Sequence, residues 1–214
     1  MAALPVVSAC SDEAPCDACE AISGPWRVEP GEGAGGSIVA AAMSADGVLH
    51  MVSSIEVVES EEDFPATWAV RAFARVDGSW ESATLGECDS RSAVSVVATG
   101  DIVHAAWIAP DGQSIQYSRR TSGGAWSPSV TLASGNAVRL AAGRDVEVAL
   151  AYRSDASIWV GRVVDGGLES ATDTGATAPC TGPEALVFGG DGRLQIFYGV
   201  GGTEDEPCAE PRDV

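Results

Sequence analysis

By residue type, the side chains best suited to hold a ligand are Arg119, Arg120 and Trp126. A guanidinium presents a planar fork of donors and stacks on aromatic faces, so two arginines near an indole suit a hydroxyl-rich or acidic ligand. These three are the candidate ligand-binding residues. The other reactive types lack a usable spacing. Arg71, Arg91, Arg139, Arg153 and Arg162, with Tyr117, Tyr152 and Tyr198, form no triad. With 31 acids in the chain, carboxylate pairs are expected by chance, so no catalytic residue is assigned. Glu56–Asp63 lacks the alternating Asp/Asn oxygens and the turn glycine of a calcium loop, and a solvated loop is expected there. Cys16 and Cys19 form a C-x-x-C with no second pair, and His50 and His104 lie far along the chain. No metal or cofactor is therefore assigned.

The six cysteines are Cys10, Cys16, Cys19, Cys88, Cys180 and Cys208. An even count suits disulfides in an exported chain. Cys180 and Cys208 are the favoured pair, because a hairpin brings the start of one strand beside the end of the next. Cys88 and Cys180 precede the first strands of non-adjacent repeats and are expected to lie beyond the ~7 Å Cα separation that a disulfide spans. Near the start, Val7-Ser8-Ala9-Cys10 follows an apolar run and precedes an acidic, small-residue tether. This segment resembles the lipobox of bacterial lipoproteins. The resemblance implies lipid attachment at Cys10 and an extracytoplasmic protein, lipid-anchored in the cell envelope or secreted. Nothing before Cys10 is charged, whereas an export signal carries a basic n-region and ~7–15 apolar residues, so either a longer signal precedes this start or the four-residue match is a coincidence.

Charge narrows the partners. Twelve basic residues, all Arg, face 31 acids, for a net charge of −19. Nucleic acid and anionic bilayers are bound through clustered basic residues, so neither is expected, and membrane contact is expected only through a lipid anchor. Hydrophobic residues make up 45% of the chain, which is enough to build a core rather than remain disordered.

The elements that must position these side chains repeat. Val103–Trp107, Val148–Tyr152 and Leu194–Tyr198 are apolar alternations ending in an aromatic, at steps of 45 and 46 residues, with a fainter copy at Leu49–Ser53. His50 and His104 fall at one place in this repeat, where the other copies carry Ala149 and Gln195. That recurrence marks a structural second-strand position. Each unit opens with a small-residue strand: Ser37–Met43, Ala93–Ala98, Ala137–Ala142 and Ala185–Phe188. A tight Asp/Gly turn, the anchor strand, a third strand, a second Gly-rich turn and a Trp-led fourth strand follow. Repeats of ~40–50 residues made of short strands predict propeller blades. The fold class is all-β, with four antiparallel strands per blade and about three and a half to four blades. Trp80 and Trp126 are expected to wedge between blades. Gly24–Val28 copies a fourth-strand start, which predicts fifteen strands in all. An incomplete arc would expose strand edges, which favours a homodimer.

The blade formula resembles the sialidase-type repeat superfamily. It combines Val-His-x-Ala-Trp in the second strand, Ser-Ile-x-Tyr-Ser in the third and a Gly-rich turn before Trp. The turns Asp77–Trp80 and Thr121–Trp126 are shorter than the superfamily's Asp-box and closer to its lectin-like members. The resemblance implies three function classes: a non-catalytic surface module for a protein or envelope polymer, a glycan-binding lectin, or a sialidase-like glycoside hydrolase. The superfamily's Phe/Tyr-Arg-Ile-Pro segment is absent. The reading taken is a non-catalytic binding module, with residues 1–23 as signal remnant and tether, 24–200 as blades and 201–214 as an acidic tail.

Overall fold

The computed structural model describes residues 38–58, 67–89, 94–121, 123–144, 147–177 and 182–198. All regular elements among them are strands, fourteen in number. Blade 1 is β1 (Ile38–Met43), β2 (Leu49–Val58), β3 (Thr67–Val76) and β4 (Ser79–Cys88). Blade 2 is β5 (Val94–Thr99), β6 (Ile102–Ile108), β7 (Ser114–Thr121) and β8 (Val130–Ser134). Blade 3 is β9 (Ala137–Ala142), β10 (Val148–Ser154), β11 (Ser157–Val164) and β12 (Gly167–Thr177). β13 (Pro183–Phe188) and β14 (Leu194–Tyr198) form a two-stranded fourth sheet. Strand order within each sheet follows the chain, and every pairing is antiparallel. These are propeller blades, three of four strands and a fourth of which two strands lie among the described residues, as the repeat spacing predicts. The expected strand at 24–28 lies outside the described residues, as do Cys10, Cys16, Cys19, Cys180 and Cys208.

Turn chemistry explains the hairpins. Asp77-Gly78 and Asp165-Gly166 each place two residues at positive φ, 51° and 82° in the first, 51° and 84° in the second. Two consecutive left-handed residues make the two-residue turn whose twist matches that of the strands it joins. They connect β3 to β4 and β11 to β12 with Val76 opposite Ser79 and Val164 opposite Gly167.

The first strands β1, β5, β9 and β13 pack side by side in succession, so small residues fit them. Alternation along each strand then sends one set of side chains toward the preceding blade and the other toward the next. Val103, Ala105 and Trp107 of β6 join Val52, Val70 and Ala72 of blade 1. Ala106 and Ile108 join Val138, Leu140, Val148 and Leu150 of blade 3. Ala141, Ala149 and Ala151 meet Leu186 of the fourth sheet. The core is therefore a series of seams between blades. Each seam is also stitched by hydrogen bonds: Ala45 N to Gly100 O at 3.0 Å, Leu140 N to Ser95 Oγ at 2.9 Å, and Arg139 Nε to Glu184 O at 2.9 Å.

Three sequence expectations need correction. Trp126 does not lead β8; it precedes the strand, which begins at Val130. It does pack at the seam between blades 1 and 2, as a wedge should. Trp80 does not wedge there. It pairs with Arg75, which pairs with Leu49, so it lies on the face of blade 1 turned away from blade 2, and it is 36% exposed. The acidic insertion does not begin as a loop, because β2 runs on through Glu56 to Val58, with Glu56 exposed; residues 59–63 lie outside the described residues.

Candidate functional site

A cleft of about 240 Å³ opens between blades 2 and 3, at the end where the β5–β6 and β11–β12 turns lie. Its floor is a chain of three buried side chains. Thr99 Oγ1 lies 2.9 Å from His104 Nε2, and His104 Nδ1 lies 2.6 Å from Tyr117 Oη. The register dictates this grouping. His104 on β6 sits beside Val97 of β5, two residues before Thr99, and opposite Arg119 of β7, two residues after Tyr117. All three share the face turned to blade 3.

Electrostatics keep this floor neutral. Burial, and secondarily the charge of Arg119, lower the His104 pKa from 6.5 to about 4. Burial pushes the Tyr117 phenol up to about 12, against the opposing pull of Arg119. A neutral imidazole offers one N–H and one lone pair, and a hydroxyl on each side satisfies both. The three groups therefore form a closed hydrogen-bond chain. Near neutral pH its members are uncharged. Around the rim, Arg119 comes from blade 2 and Glu147, Arg162 and Asp165 from blade 3. Arg162 Nε lies 3.7 Å from Glu147 Oε1, with both side chains more than a third exposed.

The seam between blades 1 and 2 repeats the motif with different neighbours. Ser44 Oγ lies 3.0 Å from His50 Nε2 and donates to Asp46 Oδ1 at 2.5 Å. The Asp-Ser-His composition resembles a hydrolytic triad, but the order is wrong. A nucleophilic serine gives its proton to the histidine, whose other nitrogen is held by the acid. Here the serine stands between acid and histidine, and His50 Nδ1 has no partner among the described residues. Burial first, and Arg120 second, lower the His50 pKa, against the opposing influence of Asp46.

The structure separates the three candidate ligand-binding residues. Arg119 lines the cleft toward blade 3. Arg120, one residue on and opposite Val103, faces blade 1, where its Cζ lies 5.9 Å from the Trp126 ring centroid. They do not form one platform. The Thr99–His104–Tyr117 chain was not singled out from sequence. Its available signal is a hydroxyl residue ending the first strand shortly before each second-strand histidine, Ser44 before His50 and Thr99 before His104. Cys88, at the end of β4, is buried, and its thiol is pushed up to about 11 by burial and by the nearby Asp89 charge. Among the described residues no three His, Cys, Asp or Glu side chains group to hold a metal.

No family model matches the chain, and no curated protein matches it. Among solved structures, a protein of unknown function from Dyadobacter fermentans DSM 18053 matches at 14% identity and a TM-score of 0.51, over 74% of this chain and 55% of that one. An alpha-L-arabinanase of Penicillium chrysogenum, solved with arabinobiose, matches at 12% identity and a TM-score of 0.45, over 74% of this chain and 58% of that one. The chain thus spans a little over half the length of each. At these identities the first likeness speaks for the fold alone, and the second carries no argument. What stands is the architecture: an all-β chain of propeller blades with a polar cleft between its second and third blades.

Proposed function

We propose that the chain is a non-catalytic binding module, exported or displayed at the cell surface, that holds a protein or envelope polymer at the cleft between blades 2 and 3. One observation carries this reading. The cleft floor is closed by the Thr99–His104–Tyr117 chain, while both donors and acceptors line the rim. Such a surface supplies contacts without a poised acid or base. Export rests on the lipobox-like Val7–Cys10 and the even number of cysteines. A lectin reading has its own support. Arg119 and Arg162 offer donors, Glu147 and Asp165 offer acceptors, and a sugar's hydroxyls require both.

The test sets wild type beside Arg119→Ala in three assays: co-sedimentation with purified peptidoglycan, a glycan array, and a panel of fluorogenic glycosides including a sialoside. Polymer binding that weakens about tenfold in the variant, the size of one lost charged hydrogen bond, supports the proposal. Binding on the array alone selects the lectin reading. Turnover of a glycoside that Arg119→Ala abolishes would overturn the non-catalytic reading.

A further inference from the structure

The rim of the cleft between blades 2 and 3 carries four formal charges, Arg119 and Arg162 against Glu147 and Asp165. Two of them already answer each other, because Arg162 Nε lies 3.7 Å from Glu147 Oε1. Arg119 and Asp165 have no ion pair among the described residues. Arg119 is half-buried on β7 of blade 2, and Asp165 is exposed in the β11–β12 turn of blade 3. The backbone brings them to one place. Asp165 is followed by Gly166, and a side-chain carbon on Gly166 would stand 3.9 Å from Arg119 Nε and 3.8 Å from Tyr117 Cε1. Both turn residues hold positive φ, 51° and 84°, so the hairpin itself fixes where the turn lies, with no bond between the charges. Two unlike charges thus border one cavity of about 240 Å³ without neutralising each other by contact.

We infer that the cleft takes an α-amino-acid group, an ammonium and a carboxylate on one carbon, with the carboxylate at Arg119 and the ammonium at Asp165. The inference rests on the binding role proposed for this cleft and names what is bound. Charge disfavours the simpler ligands. A lone anion would meet two carboxylates in the cleft and a chain of net charge −19 around it. A lone cation would meet two guanidiniums. A neutral sugar satisfies donors and acceptors but cancels neither charge. A zwitterion answers both and adds no net charge. The guanidinium fork matches a carboxylate, and a carboxylate accepts from an ammonium. Size agrees as well. Pockets for drug-sized ligands measure about 300–1,000 Å³, so a cleft of about 240 Å³ suits a single residue-sized group. Ile102 and Val163 line it and offer apolar contact to a small side chain. The group can be a free amino acid or the end of an envelope peptide stem, and the chemistry recognised is the same.

The experiment is an NMR titration of the isotope-labelled full chain with alanine, followed at the Arg119 and Gly166 amides. Two further compounds are titrated beside it: N-acetylalanine, which lacks the ammonium, and alaninamide, which lacks the carboxylate. Alanine should give saturable shifts, and each half-ligand should bind about tenfold more weakly, the size of one lost charged hydrogen bond. Arg119→Met removes the guanidinium, and Asp165→Asn removes the charge while keeping a residue that tolerates positive φ. Each should weaken alanine binding about tenfold. No saturable shift with alanine, or equal binding of the three compounds, overturns the inference. If the variants fail to fold, the three compounds on wild type decide alone. Co-sedimentation with peptidoglycan before and after acetylation of its amines separates the two sources. A loss on acetylation puts the group on the polymer, and alanine binding with unchanged sedimentation assigns the cleft to a free amino acid. Peptidoglycan binding that needs Arg119 without any response to alanine sinks this inference alone. Alanine binding with no polymer or glycan bound sinks the polymer reading and leaves this one standing.

Discussion

Between blades 2 and 3, His104 is closed at both ring nitrogens, by Thr99 and Tyr117, and Val163 lines the opposite wall. Between blades 1 and 2, His50 is closed at one nitrogen by Ser44, and the matching positions hold Ala72 and Arg120. The backbone register is the same in both. The third seam abandons the motif: Ala149 replaces the histidine, Gly143 replaces the hydroxyl, and Phe188 packs against the space a side chain at Gly143 would need. One scaffold position therefore serves as a neutral polar link, a charged unfinished one and a dry contact. The difference arises from two or three side chains per seam, because the strands already fix where each will point.

The largest expected effect tests whether the seams are what hold the blades together. Trp107 is 1% exposed, donates its indole N–H across the seam to Glu87 O at 3.2 Å, and lies where Gly86 leaves room for it. Trp107→Ala removes the largest buried side chain of the first seam and should cost about 3–5 kcal/mol in a denaturant titration. A loss below about 1 kcal/mol would mean that the blades stand by hydrogen bonding within sheets, and that the seams contribute little.

The next effect separates the histidines by pH. His104 is lowered in the folded chain from 6.5 to about 4, so the unfolded chain binds its proton first as pH falls. Stability rises with pH wherever the unfolded state holds more protons. The His104 contribution is therefore fully present above pH 6.5 and is lost progressively toward pH 4, by on the order of 3 kcal/mol in all. The chain's many acids titrate over part of this range too, so the comparison must be with His104→Gln. Glutamine stands in the same register at Gln195 and carries no charge. Wild type should lose its advantage over that variant between pH 6.5 and 4. Stability curves that stay parallel across that window contradict a buried neutral His104.

Much of this was legible in the sequence, and the limit of legibility is physical. The spacing of Val103, Val148 and Leu194 located the second strands, and Asp77-Gly78 and Asp165-Gly166 located two hairpins, because alternation and positive φ are local properties. Which face a residue takes is set by parity, and parity was misjudged once by treating neighbours as allies. Arg119 and Arg120 are adjacent in the chain and so lie on opposite faces of β7, in different seams. Trp80 copies the sequence setting of Trp126, but the side it faces has no described blade to receive it. The histidine chain needed a cross-strand partner, Tyr117, thirteen residues from His104. Such a pairing follows only once the register is known.

A smaller effect would make the two seams alike. Tyr117→Phe leaves the ring in place and removes the hydroxyl, so His104 Nδ1 loses its partner as His50 Nδ1 lacks one. Leaving a buried polar atom unsatisfied costs about 1–3 kcal/mol. The same range in urea unfolding is expected here. No change would show that His104 finds another partner easily, and that the closed chain is not what distinguishes this seam.

The smallest effect concerns the rim, and it sharpens the contrast between a charge that is buried and one that is not. Arg162 approaches Glu147 at 3.7 Å, but its side chain is 56% exposed and that of Glu147 is 37% exposed. An exposed pair gains little Coulomb energy in water, loses side-chain freedom and is screened by salt, so it contributes about 0–1 kcal/mol. Arg162→Gln should therefore melt within about 2 °C of wild type, and the small difference should vanish as salt is raised. A melting loss at Arg162→Gln that persists in high salt would show that the rim pair is structural. The seam between blades 2 and 3 would then depend on charge as well, and the distinction between the two seams would lie only in where the charge sits.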